Sequence, residues 1–175
     1  MTSTAPARDQ LVIRPLGKPG DLGWVVLAHG EIYAREYGYD ASFEALTARI
    51  VADYANGHDP ARERAWIAEV AGHRVGCVFC VAIDDSTAQL RILLVAPECR
   101  GLGAGNALVK ACLDFARQAG YSRMRLWTQA DLAQARRVYL AHGFRLTGEE
   151  PHHSFGHDLV GQTYEADLST QPAAR

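Results

Sequence analysis

The stretch Leu90–Asn106, LRILLVAPECRGLGAGN, constrains this chain more than any other. An apolar run suited to a buried strand ends at Pro97, and Arg100-Gly101-Leu102-Gly103-Ala104-Gly105 then opens a helix. A helix start carries unpaired backbone N–H groups and the positive end of the helix dipole. Glycines let a bulky anion approach those donors without meeting a Cβ. A strand that feeds a helix through such a loop calls for an α/β arrangement and a ligand bearing a phosphate or pyrophosphate.

Two common phosphate loops do not fit. A nucleotide-hydrolysing loop ends in Gly-Lys-Ser/Thr, whereas here the residues are Gly105-Asn106-Ala107. A dinucleotide fingerprint needs Gly-x-Gly-x-x-Gly in a first βα unit. Gly101-x-Gly103-x-x-Asn106 lacks the third glycine and lies late in the chain.

Elsewhere the hydropathy pattern spells out a single domain over residues 11–168, with a disordered lead-in at 1–10 and a tail at 169–175. Leu11–Pro15 reads as a strand. Leu22, Val25, Val26, His29, Ile32 and Tyr33 recur at helical spacing, which predicts a helix over Asp21–Glu36. A second helix starts near Ser42 as N-cap and presents Phe43, Leu46, Ile50 and Tyr54. Arg64–Val70 and Arg74–Ile83 form a hairpin, the second with strict alternation, and Gln89–Val95 follows as a strand. The helix Gly103–Ala119 ends at Gly120. Arg123–Thr128, a short helix Asp131–His142, and strands Phe144–Gly148 and Gln162–Leu168 complete the order. The expected fold is α/β (α+β), a mixed, twisted central sheet of about seven strands with helices on both faces.

Composition narrows the function classes. Of 175 residues, 48% are hydrophobic and 22% charged, with a formal net charge of -2. That balance argues against a general nucleic-acid surface. No apolar run reaches the roughly 18–20 residues that span a bilayer, and the first ten residues lack an apolar signal segment, so a cytoplasmic location is expected. Cys77 and Cys80 have metal-site spacing, but residues three apart on a strand point to opposite faces. They read as small buried hydrophobes, as do Cys99 and Cys112. His152, His153 and His157 lack further ligands at metal spacing. They read as a loop of a substrate cleft, and no metal is expected.

The Arg-x-x-Gly-x-Gly pattern after a Val-x-Pro strand end resembles the pyrophosphate loop of the GNAT acetyltransferases. A strand at Arg123–Thr128, then Ala135, Tyr139 and Gly143-Phe144, resembles the family's second cofactor motif. The two cover Leu90–Phe144, close to a third of the chain. The resemblance implies a GNAT-like fold and acetyl-CoA as cosubstrate, held by Leu94, Val95, Arg100, Gly101, Leu102, Gly103, Ala104, Gly105, Asn106, Thr128, Ala135 and Tyr139. It also implies a bulge around Leu94–Val95 that frees a backbone N–H for the thioester carbonyl. Tyr139 takes the place of the family's general acid, against the alternative of a core aromatic. In one place the chain departs from the family pattern: an asparagine seven residues before the tyrosine is Leu132 here. Thr128, Gln129 and Asp131 are nearby polar substitutes.

The implied activity is transfer of an acetyl group to a primary amine in a ternary complex, with a non-catalytic acyl-CoA-binding module as the alternative. A binder of nucleotide phosphates is a third reading. Tyr33, Tyr37 and Tyr39 are candidates to line the acceptor cleft, against ordinary packing. Glu36, Glu44, Glu69 and His29 are possible bases, and none is singled out. His29 reads as a satisfied core histidine. Longer phrases, HGEIYAREYGYDASFEALTARI and EEPHHSFGHDLVGQTYEADL among them, resemble the acetyltransferase half of proteins that fuse a MarR-type DNA-binding domain to a GNAT domain. About ten residues precede the first strand, too few for a helix-turn-helix module, so no nucleic-acid partner is expected. An amine acceptor and, at most, a second copy of the chain remain as partners.

Overall fold

A computed structural model describes residues 10–169, so most of the expected lead-in and tail lies outside the described residues. Seven strands form one sheet: β1 (Leu11–Pro15), β2 (Arg64–Val70), β3 (His73–Ala82), β4 (Thr87–Val95), β5 (Arg123–Gln129), β6 (Arg145–Ser154) and β7 (His157–Asp167). Their spatial order is β1-β2-β3-β4-β5-β7-β6. Only β4 and β5 pair in parallel, as a strand–helix–strand crossover requires. The helices are α1 (Asp21–Tyr37), α2 (Ala41–Gly57), α3 (Ala104–Gln118) and α4 (Ala133–Ala141). The expected mixed sheet is confirmed.

Strand alternation builds a core on each face. Val25, Ala28 and Ile32 of α1, with Val51 and Tyr54 of α2, pack on Ile67, Cys77, Phe79 and Leu94. Leu108, Cys112 and Phe115 of α3 pack on Trp66, Val78, Cys80 and Leu90 from the other side. Cys77 and Cys80 thus face opposite ways, as their spacing predicts, and all four cysteines are free and buried. Gly76 allows β3 and β4 to approach closely: a Cβ there would lie 2.7 Å from the Leu94 carbonyl oxygen and 3.1 Å from Leu108 Cδ1.

The start of α1 is fixed by charge. The Asp21 carboxylate is fully buried and accepts from Arg14 Nη1 and Nη2 (2.7 and 2.9 Å), Arg74 Nε (2.7 Å) and the backbone N–H of Gly17 and Lys18 (both 2.9 Å). Burial alone would push its carboxyl pKa up. The Arg14 bonds, then those from Gly17, Arg74 and Lys18, outweigh burial and hold it well below the usual carboxylate range.

Two local expectations change. The N-cap of α2 is Asp40, not Ser42; its side chain accepts from the Ser42 N–H at 3.0 Å. The stretch around His152–His157 is a hairpin rather than a loop. Phe155 (φ 57°) and Gly156 (φ 82°) form its two-residue turn between Ser154 and His157, both left-handed as such tight turns need. Pro151 is tolerated because β6 is the edge strand. The turn is pinned to the α1–α2 junction by the Asp40 N–H donating to the Phe155 carbonyl (3.1 Å) and His157 Nε2 donating to the Gly38 carbonyl (2.9 Å).

Candidate functional site

β4 loses its β5 partner halfway along. Its pairing with β5 covers Thr87–Leu90 against Arg123–Leu126 and then stops. Pairing with β3 slips over the same stretch: Phe79 faces Arg91 and Cys77 faces Leu94, so Ile92 and Leu93 oppose one residue of β3. Ile92 takes φ 45°, a left-handed conformation rare for a β-branched residue. The bulge thus lies immediately before the pair Leu94–Val95 named from the sequence.

Where the strands part, a cavity of about 440 Å³ opens. Leu93, Leu94 and Val95 form one wall, the glycine loop and the start of α3 another, and α4 and the end of α1 the rest. The loop leaves its donors free. Gly101 and Gly103 are left-handed (φ 84° and 88°), no side chain caps α3, and no Cβ-blocking atom lies within 4 Å of Gly101. Among the described residues, the N–H groups of Gly101, Gly103, Ala104, Gly105 and Asn106 have no backbone acceptor. This row of donors lies at the positive end of α3, an arrangement that favours negative charge.

Of the residues expected to hold the cofactor, Leu94, Val95, Arg100, Gly101, Gly103, Ala104, Gly105, Asn106 and Ala135 line the cavity, as do Tyr33 and Tyr37 from the acceptor set. Leu102, Thr128, Tyr39 and Tyr139 do not. Leu102 packs against the α3 core, and Thr128 is buried on β5. Tyr39 is 4% exposed and packs against Tyr33, Phe43 and Phe155, with ring centroids 5.1–5.7 Å away. Tyr139 is 5% exposed and meets Phe144 edge-on at 5.8 Å, so its ring packs within the core. Its hydroxyl has no side-chain partner among the described residues, yet is not sealed from solvent. Burial holds that phenol well above its ordinary pKa, and the nearby Tyr33 adds to the effect.

Arg100 is not free. Its Nη1 and Nη2 each donate at 2.7 Å to one Glu36 oxygen, a bidentate pair that ties α1 to the glycine loop. This bond, ahead of an opposing burial effect, raises the guanidinium pKa further. Glu36 is the sole carboxylate among the wall residues. Of the other possible bases, Glu69 belongs to the distant Arg14–Lys18 network, and Glu44 packs over Gly30. Gln129 is engaged by His152 Nε2, which donates to its Oε1 at 2.9 Å, and Asp131 accepts from the Tyr39 hydroxyl at 3.5 Å. Neither lines the cavity; Leu132 does, together with Cys99, Gln134, Arg137 and Val138. Gln134, a wall residue with an amide to offer, was not expected. It sits five positions before Tyr139 on the same helix. Among the described residues there is no metal-binding cluster and no helix long and apolar enough to cross a membrane.

His29 corrects a further expectation. It is 1% exposed, and Nδ1 donates to the Val25 carbonyl at 2.7 Å. Nε2, however, is sealed and unpaired among the described residues. Burial lowers its pKa to about 4, against weaker opposing effects of the Val25 and Ile92 carbonyls, so the ring is neutral at pH 7.

The acetyltransferase (GNAT) family model matches residues 26–144. Human N-acetyltransferase 8B is 39% identical over 93 residues, covering 50% of this chain and 41% of that protein. An N-acetyltransferase of Schizosaccharomyces pombe is 30% identical over 122 residues, 69% of this chain and 74% of its own. The chain spans less than half the length of the mammalian relatives it matches. Among solved structures, spermidine N-acetyltransferase from Vibrio cholerae in complex with CoA and spermine superposes with a TM-score of 0.67 at 23% identity, covering 92% of this chain and 97% of that one. A GNAT family acetyltransferase from Elizabethkingia anophelis with acetyl-CoA bound gives 0.62 at 18%, covering 91% and 99%.

Proposed function

The chain belongs to the acetyltransferase (GNAT) family, and from that premise we propose that it moves an acetyl group from acetyl-CoA to a primary amine. The observation that carries this reading is the row of N–H groups of Gly101, Gly103, Ala104, Gly105 and Asn106 without backbone acceptors, opening onto a cavity along the half of β4 that β5 leaves unpaired. A diphosphate fits the donors at the start of α3. An extended amide-bearing arm fits beside β4, where β5 has withdrawn. This sets the thioester next to the Ile92–Leu93 bulge, where backbone N–H groups are placed to take charge developing on its carbonyl oxygen.

Each residue then has a task. Gly101 and Gly103 shape the loop, and Ala104, Gly105 and Asn106 donate to the phosphates. Leu132, Ala135 and Val138 offer an apolar wall to the arm, with Gln134 as its polar contact. Tyr33 and Tyr37 border the acceptor. Tyr139, kept protonated at neutral pH by burial, is suited to return a proton to the departing thiolate. An alkylammonium with pKa near 10.4 must lose its proton before attack. With Glu36 held by Arg100, a water relay suits that step better than a wall carboxylate. The reaction is direct transfer in a ternary complex, in a cytoplasmic protein with one catalytic domain over residues 11–168. The phrases shared with MarR–GNAT fusions support a place in that subgroup.

The test is thiol release from acetyl-CoA across a panel of amines. We expect turnover with at least one acceptor, and a loss of roughly a hundredfold in kcat for Tyr139→Phe, the scale of general acid catalysis. Two observations favour a non-catalytic acyl-CoA-binding module instead: Tyr139 lies outside the cavity wall, and Arg100 is already paired. CoA binding without turnover on any acceptor would establish that module. Thermal stabilisation by ATP and none by CoA would overturn both.

A further inference from the structure

Arg91 is a half-buried cation with neither a hydrogen bond nor an ion pair among the described residues. It stands on β4 immediately before the bulge and opposite Phe79, so its side chain rises on the face that α1 and α2 cover. Tyr33 packs on that same face and also lines the cavity. Beyond β4 the face is bare. Arg125, which pairs with Gln89, and Trp127, two positions on, are both exposed. By strand alternation Arg91 and Trp127 point the same way from neighbouring strands.

Arginines close by are differently placed. Arg125 donates from Nε and Nη2 to Glu165 at 2.9 and 2.8 Å, and Arg100 is held by Glu36. The carboxylate that influences Arg91 is Asp53 on α2, which makes no hydrogen bond to it; burial pushes the guanidinium pKa down against that attraction. Trp127 does not take up the charge either, since the two cation–π contacts among the described residues belong to Arg62 and Arg64. A half-buried charge without a counter-ion is costly to the fold. Its planar fork of donors matches the two oxygens of a carboxylate.

We propose that Arg91 binds the carboxylate of the acceptor, and that the acceptor is a free α-amino acid. This rests on the acetyl-CoA reading, which sets the thioester beside the Ile92–Leu93 bulge. Arg91 lies two residues before the cavity wall begins at Leu93, about 7 Å along a strand and within the reach of an arginine side chain. The amine and carboxylate of an α-amino acid share one carbon, so an amine at the thioester brings its carboxylate toward the guanidinium. The nitrogen attacks the thioester carbonyl, the amide forms and the C–S bond breaks, while the carboxylate takes no part. A polyamine would set a second ammonium against a like charge, and a peptide N-terminus has an amide where the carboxylate is needed. Arg91 thereby discriminates against both.

Matched acceptors test this: leucine with isoamylamine, phenylalanine with phenethylamine, and lysine with cadaverine, each pair differing by the α-carboxylate. Thiol release from acetyl-CoA is measured for wild type, Arg91→Gln and Arg91→Lys. The members of a pair differ in amine pKa, so the decisive quantity is the change in their kcat/KM ratio on substitution, from which that difference cancels. We expect wild type to favour at least one amino acid. Arg91→Gln should lower kcat/KM for it roughly 10- to 100-fold, the range of a charge-assisted hydrogen bond, mostly through KM. The decarboxylated partner should hold its rate, which also reports that the variant is folded, and Arg91→Lys should recover part of the loss. An equal fall for both members of every pair makes Arg91 structural and overturns the proposal, as does wild-type turnover of the decarboxylated members alone; either result leaves acetyl transfer to amines standing. If no acceptor turns over, the transferase reading fails by itself, and titration calorimetry with leucine and isoamylamine in the presence of CoA decides the carboxylate site. Leucine binding that Arg91→Gln abolishes upholds the site, and equal binding of the two or none overturns it.

Discussion

His29 and Asp21 lie two helical turns apart on α1 and are both buried in their deprotonated forms, one neutral and one charged. For His29 the folded pKa of about 4 lies below the ordinary 6.5. The unfolded chain therefore binds the proton more readily, and stability present above pH 6.5 falls as pH drops toward 4. The difference amounts to about 3 kcal/mol. Urea denaturation should show the midpoint falling between pH 7 and 4.5, and His29→Phe should flatten that part of the profile. Asp21 works the same way at lower pH: its depressed carboxyl contributes stability above about pH 4 that is lost on further acidification. Asp21→Ala leaves Arg14 and Arg74 short of an acceptor and should cost about 3–5 kcal/mol, read from the urea midpoint. Neither role was legible in the sequence. Asp21 marks only the start of the predicted helix, and its arginine partners come from strands 7 and 53 positions away. His29 reads as a satisfied core residue because the packing that leaves its Nε2 without a partner is tertiary.

At the scale of elements, the sequence was most informative where local rules decide. The glycines of Arg100–Gly105, the strand at β3 and the Gly120 terminator of α3 all match local conformations in the structure, although β3 is buried on both faces rather than alternating. The β6–β7 hairpin was missed because its turn is Phe-Gly, outside the usual Asn-Gly signal, and because Pro151 argues against a strand until the strand is known to be an edge. The Arg100–Glu36 pair was missed because it joins elements 64 positions apart. Its removal has a definite sign. Arg100 remains beside the donor row, and without Glu36 its guanidinium can turn to a phosphate. Glu36→Gln should therefore bind CoA about threefold to tenfold more tightly, by the value of one charge-assisted bond. Gly103→Ala, forced to φ 88°, should weaken CoA binding and lower stability by about 1 kcal/mol. Titration calorimetry tests both.

For the whole molecule, the register of β4 with β5 is the weak seam. Thr87–Leu90 and Arg123–Leu126 are all that join β1–β4 to β5, β7 and β6 within the sheet. A ligand lying in the gap contacts both sides and binds only the folded form. CoA at a hundred times its Kd should raise folding stability by about 2.7 kcal/mol, seen as an increase in Tm that ATP at equal concentration does not reproduce. The same seam explains the limit of a sequence reading at this scale: the order of elements implies a parallel crossover between these two strands, but where they part company is set by pairing that stops at Leu90, just before the bulge.

Gly76 bears on how this protein can vary. It touches no ligand in the arrangement argued above and sits on a strand outside both sequence motifs. Yet a single methyl group there would collide with the Leu94 carbonyl at 2.7 Å, and main chain yields less readily than a side-chain tip. The depth of the binding floor is thus dictated by an atom the protein lacks. Libraries that randomise only contact residues would leave that control untouched, while an alanine at position 76 would redraw the pocket from behind.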